Sequence, residues 1–174
     1  MKKFLAALAV LMFLSGCSTV KVDEYASRGP KLDLQQYFNG EVEADGAFFG
    51  RSGKVEKQFH VAMRGTWQGN NGTLDEDFTY SDGTKSKRQW KIVMGSDGNF
   101  TGTAHDVVGT AIGRQSGNVS HMNYVLQLPK GGKTYNISMD DWMYKLSDTV
   151  MINRVAMSKF GFHVGELVIT FTKK

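Results

Sequence analysis

Short runs of alternating apolar and polar residues, each cut off by a turn dipeptide, constrain this chain more than any other feature. Asn70-Asn71-Gly72, Ser81-Asp82-Gly83, Ser96-Asp97-Gly98 and Lys130-Gly131-Gly132 recur between the runs, and such glycine-bearing turns join antiparallel strands. Side chains of a strand point alternately to its two faces. On that basis Phe59, Val61, Met63 and Trp67 share one face. So do Leu74, Glu76, Phe78 and Tyr80, then Trp90, Ile92 and Met94, then Met122, Tyr124, Leu126 and Leu128. Later runs cover 134–146, 149–159 and 162–172, and a Gly/Ala/Thr-rich pair covers 99–105 and 107–117. Twenty Gly against two Pro, with eleven Phe, six Tyr and three Trp, suit strands and turns rather than helices.

Some ten strands, consecutive in sequence, predict an all-β fold: an antiparallel up-and-down barrel of about 8–10 strands spanning residues 32–174. Closure removes the sheet edges that would otherwise pair with other chains, and a barrel of this size holds a small ligand. A two-sheet sandwich is the structural alternative. No run is long enough for a helical crossover, which excludes parallel α/β folds. Charges on both faces of several strands exclude an outer-membrane barrel, whose outward face is apolar. Before the strands, Leu32, Leu34, Tyr37 and Phe38 suggest a short helix, with Asp33 near its start and Asn39-Gly40 at its end. Such a helix could plug one end of the barrel.

The N-terminus carries an address. Lys2-Lys3 precede an eleven-residue apolar run, Phe4 to Leu14, too short to cross a hydrocarbon core that needs about 20 residues. Leu14-Ser15-Gly16-Cys17 then matches a bacterial lipobox, in which the thiol accepts a diacylglyceryl group and small residues admit the signal peptidase. An ordinary secretory leader with an incidental cysteine is the alternative. The lipobox reading makes residues 1–16 a signal peptide, Cys17 the lipidated first residue, and 17–31 a polar tether. Ser18, rather than Asp, after the cysteine favours the outer membrane, with the domain on the periplasmic side. Cys17 is the chain's single cysteine, so no internal disulfide or cysteine metal site can form.

Removing Lys2 and Lys3 leaves 19 basic and 17 acidic side chains, a net +2 that calls for no nucleic-acid partner. His60, His105, His121 and His163 lack metal-ligand spacing, and no metal or other cofactor is expected. His105 and Asp106 point to opposite faces of a strand, and no G-x-S-x-G elbow occurs, which argues against a serine hydrolase. No Walker A or G-x-G-x-x-G motif is present. The polar residues of the last third are the candidate site. Asp141 shares a face with Ile137, Met139 and Met143 and needs a partner or water there. Arg154, Lys159 and Arg64 are candidate partners, and Glu166, two residues from Val164 and Val168, raises the same question. Arg64, Asp141, Trp142, Arg154 and Glu166 are the candidate ligand-binding residues; internal structural ion pairing is the alternative role.

The segments 100–113 (F-T-G-T-A-H-D-V-V-G-T-A-I-G), 140–144 (D-D-W-M-Y), Asn153-Arg154, 157–161 (M-S-K-F-G) and 164–171 (V-G-E-L-V-I-T-F) resemble an uncharacterised family of proteobacterial lipoproteins, a domain of unknown function. The resemblance covers about Leu34 to Phe171. It implies a lipocalin-like barrel behind a lipobox, and no catalytic residues. Members lie beside genes for fatty-acid-modifying enzymes, which implies a fatty acid or lipid as ligand. The lipocalin G-x-W signature is missing from the first strand. Three functions follow in order of preference. The first is an anchored lipoprotein that binds a small hydrophobic or amphipathic molecule and is not an enzyme. The second is a solid barrel docking an envelope partner. The third is a lipid-acting enzyme using Asp141, Arg154 and Glu166, provided they converge.

Overall fold

A computed structural model describes residues 20–174; the leader, the lipobox and Cys17 lie outside the described residues. The alternating runs become ten antiparallel strands. They are β1 (Gly40–Gly50), β2 (Val55–Gln68), β3 (Asn71–Tyr80), β4 (Lys85–Met94) and β5 (Asn99–Thr103). Then come β6 (Ala111–Ser116), β7 (Val119–Lys130), β8 (Lys133–Lys145), β9 (Val150–Lys159) and β10 (Phe162–Lys173). Each strand pairs with its sequence neighbours, and β10 pairs with β1 from Val42↔Lys173 to Gly50↔Gly165, which closes the barrel. The sandwich alternative is thereby excluded. Outward positions of β1 to β4 carry Glu43, Asp45, Asp75, Asp77 and Lys91, so no lipid-facing belt surrounds these strands.

The up-and-down order sorts the connections into two ends. Hairpins 69–70, 95–98, 117–118 and 146–149 lie at one end; 51–54, 81–84, 131–132 and 160–161 ring the other, toward which the longer 104–110 connection also lies. The first end is closed by the short helix α1 (Leu34–Tyr37), as its sequence suggested. The Asp33 carboxylate caps it, accepting from the Gln36 N–H at 3.0 Å. Tyr37 and Phe38 are buried, and the Tyr37 hydroxyl reaches the carbonyls of Thr149 and Phe171 at 3.0 and 3.2 Å. Lys173 Nζ donates to the carbonyls of Tyr37 and Asn39 at 2.9 and 2.7 Å, giving carbonyls at the helix end a cationic donor.

Gly65 on β2 is what lets the plug seat. A Cβ built there would stand 1.5 Å from the Phe38 carbonyl oxygen, a backbone atom that cannot step aside alone. Gly65→Ala is expected to destabilise the fold by about 2–3 kcal/mol, the cost of overpacking a tight site. It should also raise amide exchange in residues 33–39 relative to the barrel strands. Unchanged protection of that segment would show that the plug does not depend on this contact.

Two sequence readings differ from the structure. The Gly/Ala/Thr-rich pair was expected to run through 105 and from 107; instead β5 stops at Thr103, β6 starts at Ala111, and 104–110 forms a loop. Asp106 leaves the sheet to meet a cation inside the barrel, Val107 forms a single bridge to Leu126, and Gly109 turns at φ +68°. The ladder is lost because those partners hold the segment away from its neighbours. The tether is also not free along its described length. Val22–Tyr25 makes a 3₁₀ turn, Asp23 pairs with Arg114 at 2.8 Å, and the Tyr25 ring packs against Trp142 and Tyr144 on β8. The Leu32 N–H donates to the Gly117 carbonyl at 2.8 Å. The chain therefore enters the barrel at its closed end.

Candidate functional site

The barrel interior is hollow. A cavity of about 500 Å³ runs from α1, where Leu34 and Phe38 form its floor, to a mouth where Phe48, Lys57, Tyr80 and Lys130 stand. Its wall is mainly aromatic and thioether: Phe59, Phe78, Trp90, Phe100, Met139 and Met157 all line it. The faces read from alternation are the inward ones, because every run named above contributes to this wall. Methionine side chains adapt to varied ligand shapes at little rotamer strain.

Polar groups interrupt that wall partway along β3, β4 and β8. Glu76 and Arg88 are direct cross-strand partners on β3 and β4, and both point inward. The Arg88 guanidinium donates to Asp106 from Nε at 3.0 Å and from Nη2 at 2.8 Å, while its Nη1 lies 3.7 Å from Glu76 Oε2. Arg88 also lies over the Phe78 ring at 5.5 Å. Glu76 is 8% exposed, and its Oε2 has no hydrogen-bond partner among the described residues. Beside it Asp141, 5% exposed, accepts from Asn153 Nδ2 at 2.5 Å and from the Tyr124 hydroxyl at 3.4 Å.

Burial dominates the ionisation of both carboxyls. It pushes Glu76 up to about 7; the nearby Arg88 opposes this and Asp106 and Asp141 add to it. It pushes Asp141 up to about 7 as well, against the hydrogen bonds from Asn153 and Tyr124. Tyr124 is driven well above its ordinary range, first by burial and then by the Asp141 charge, so it stays a neutral hydroxyl donor. The interior thus holds three carboxyls for one guanidinium. Deep in the cavity it can accept hydrogen bonds or exchange protons near neutrality.

Of the five residues nominated from sequence, Asp141 alone lines the cavity. Arg154 is outward and pairs with Glu166 across β9 and β10, Nη2 to Oε2 at 2.8 Å, on the barrel surface. Arg64 is exposed on the outer face of β2. Trp142 is outward too, stacked on His121 at 4.1 Å between ring centroids and covered in part by Tyr25. Lys159, another proposed partner of Asp141, instead stands over the Tyr135 ring at 4.0 Å. Asp141, Arg154 and Glu166 therefore do not converge, which removes the arrangement that the enzyme reading required. The groups missed were Glu76, Arg88, Tyr124 and Asn153. Glu76 and Arg88 had a readable signal: each is a charge in step with an apolar face, Glu76 between Leu74 and Phe78 and Arg88 two residues before Trp90.

Two outer-face histidines pair with neighbouring aspartates. His121 Nε2 and Asp140 Oδ1 are 2.5 Å apart, and His60 Nδ1 and Asp45 Oδ1 are 2.9 Å apart. Among the described residues, no group of three or more His, Cys, Asp or Glu is arranged to hold a metal ion, and no helix is long and apolar enough to cross a membrane.

A closed antiparallel up-and-down barrel with an apolar interior, an open mouth and a few buried polar groups has a lipocalin- or calycin-like architecture. Within that class the chain belongs to DUF3833, a protein family of unknown function, which it matches over residues 11–173. Among solved structures, it is similar to the S-type phycobiliprotein lyase CPES from Guillardia theta. That match has a TM-score of 0.60 and 6% identity over 89% of this chain and 98% of the lyase. It is also similar to a DUF3598 protein of unknown function from Nostoc punctiforme, with a TM-score of 0.54 and 8% identity over 84% of this chain and 51% of that one. At such identities the likeness is one of fold. No curated protein matches the sequence.

Proposed function

We propose that this protein is a lipid-anchored periplasmic binding protein of the outer membrane that holds one single-chain amphiphile, a fatty acid or related lipid, in its barrel, and that it is not an enzyme. The observation that carries the reading is the apolar cavity of about 500 Å³ with one open mouth. Its size falls within the roughly 300–1,000 Å³ range of small-molecule sites. The lipobox at Leu14 to Cys17 supports the anchor and the location. Charge supports an orientation. Lys57 and Lys130 stand at the mouth, whereas Glu76 and Asp141 lie inside. A fatty-acid carboxylate belongs at the mouth beside the two lysines, with its chain inward among Phe59, Trp90 and Met139. A carboxylate placed deep would face like charges.

Two measurements test this. Cys17→Ser protein exported to the periplasm and extracted with organic solvent should release an amphipathic lipid on mass analysis. The purified, emptied protein should bind a fluorescent fatty-acid analogue that unlabelled fatty acid displaces. Absence of both results would overturn the binding reading. Ala44→Trp, which adds an indole to the cavity wall between Val61 and Phe171, is expected to weaken analogue binding at least about tenfold while the protein stays folded. The anchor is tested separately, by loss of labelled palmitate from the protein in the Cys17→Ser variant.

A further inference from the structure

The charge of this barrel is divided along its axis. Four of the five mouth-side connections with their flanking residues, 49–58, 79–87, 128–135 and 158–164, contain eight basic side chains and two acidic ones; the fifth, 104–110, adds Asp106, which turns inward to Arg88. The basic ones are Arg51, Lys54, Lys57, Lys85, Lys87, Lys130, Lys133 and Lys159; the acidic ones are Glu56 and Asp82, giving these four hairpins +6. The remaining described residues carry 11 basic and 15 acidic side chains, or −4, so a net charge of +2 conceals a strong dipole. Lys57 is paired with Asp82 at 3.1 Å and Lys87 with Asp77 at 2.8 Å. Arg51, Lys54, Lys85, Lys130 and Lys133 are exposed and form no salt bridge with a described residue.

The two most exposed large apolar side chains of the described chain stand at the same rim. Phe160 is 88% exposed and Phe162 71% exposed, on either side of Gly161 at the tip of the β9–β10 hairpin. Val55 is 50% exposed beside the β1–β2 hairpin. Phe160 holds φ +52°, a conformation rare for a bulky residue, in a position where it buries almost none of its surface. Two aromatic rings raised on a turn, with Lys159 beside them and lysines on the neighbouring hairpins, form a projecting wedge rather than a flat patch or groove. A wedge of this kind enters the headgroup layer of a bilayer, where aromatic rings settle and basic side chains meet lipid phosphates.

We infer that the mouth of the barrel docks onto an anionic lipid bilayer, with Phe160 and Phe162 inserted at the interface and the ring of lysine and arginine on the phosphates. The surface is independent of what the cavity binds, but its place gives it a use: a docked mouth opens the apolar cavity directly onto the membrane. The described N-terminal segment packs at the closed end, through Asp23–Arg114 and through Tyr25 against Trp142 and Tyr144. Three peptide steps separate Cys17 from Val20, a reach of about 10 Å. With Cys17 acylated, the mouth faces away from the anchoring leaflet, toward a second membrane.

Full-length mature protein carrying Cys17→Ser, which removes the acyl anchor, should co-float with vesicles of phosphatidylglycerol and phosphatidylcholine at low salt. Floating with phosphatidylcholine alone, or in 0.5 M salt, should be at least about tenfold weaker, given that one basic side chain at an anionic surface contributes roughly fivefold. Phe160→Ser/Phe162→Ser and, separately, Lys54→Glu/Lys133→Glu should each lower vesicle binding about tenfold or more. Both variants should keep the thermal midpoint and the cavity affinity for the fluorescent fatty-acid analogue, because none of the four side chains belongs to the core. Vesicle binding with an empty cavity supports the inference even if the ligand reading fails. Equal floating on neutral and anionic vesicles, no floating on either, or binding unaffected by both double variants would overturn it. Salt-sensitive capture by an acidic protein without vesicle binding would reassign the surface to a protein partner and overturn it likewise.

Discussion

Replacing Arg88 by methionine lowers the free energy of unfolding by about 4 kcal/mol at pH 8, measured by chemical denaturation. The loss comes from what remains behind. Asp106 and Glu76 have side chains only 22% and 10% exposed, and Arg88 is the cation that faces both. Its removal leaves two carboxylates in a low-dielectric interior beside a third at Asp141, and an uncompensated buried charge is among the costliest defects a fold can carry. The deficit narrows at pH 5, where the Glu76 carboxyl is protonated in either protein. Amide exchange should rise selectively in the 104–110 loop, which Asp106 ties to the barrel. Arg154→Met is the matched control. That arginine makes an equally short pair with Glu166, but it is 67% exposed, so its loss should cost under about 1 kcal/mol. Equal losses for the two variants would overturn the assignment of Arg88 as the internal counter-ion.

Between about pH 5 and pH 7 the unliganded protein becomes less stable as pH rises. Glu76 and Asp141 are each raised to about 7 in the folded state, against 4.5 and 3.8 as ordinary carboxyls. In that window the folded protein binds more protons than the unfolded chain, so unfolding releases protons and a higher pH promotes it. The stability these groups lend is full below about pH 4 and is gone once pH passes 7. Each shift corresponds to on the order of 3 kcal/mol. Glu76→Gln should therefore stabilise the protein at pH 8, leave it little changed at pH 5 and flatten part of the slope; Asp141→Asn should do the same for its own part. Asp82 acts in a separate window. The Thr84 hydroxyl and N–H, together with Lys57, hold it down to about 2, so its contribution is present above about pH 4 and is lost as pH falls toward 2. A wild-type curve rising steadily from pH 5 to 8 would contradict the buried-carboxyl assignment.

The readability of the site depended on the strand. On β3 and β4 one face is apolar and the other polar, so alternation alone places Glu76 and Arg88 inward with Leu74, Phe78 and Trp90. On β10 both faces are apolar. Leu167, Ile169 and Phe171 line the cavity, while Val168 and Glu166 lie on the other face, so reading Glu166 by its valine neighbours assigns it to the wrong side. The register shift between His163 and Gly165 also breaks the count from the hairpin. Asp141 was legible as a buried carboxylate, but its partners were not. Asn153 and Tyr124 carry no charge to attract notice, whereas the arginines that do carry one point outward.

Alternation, turn residues and caps act over a few residues, so the all-β class, the neighbour-to-neighbour strand order, the inward faces of most strands and the capped helix follow from local pattern. Tertiary structure alone decided that the interior is hollow, which depends on the circumference set by ten strands and on α1 covering one end. It also decided that Asp106 leaves its strand to meet Arg88, and that basic residues from four hairpins, some 110 residues apart from first to last, gather around one mouth. Those outcomes rest on closure between β1 and β10, a pairing across the full length of the domain that no local pattern encodes.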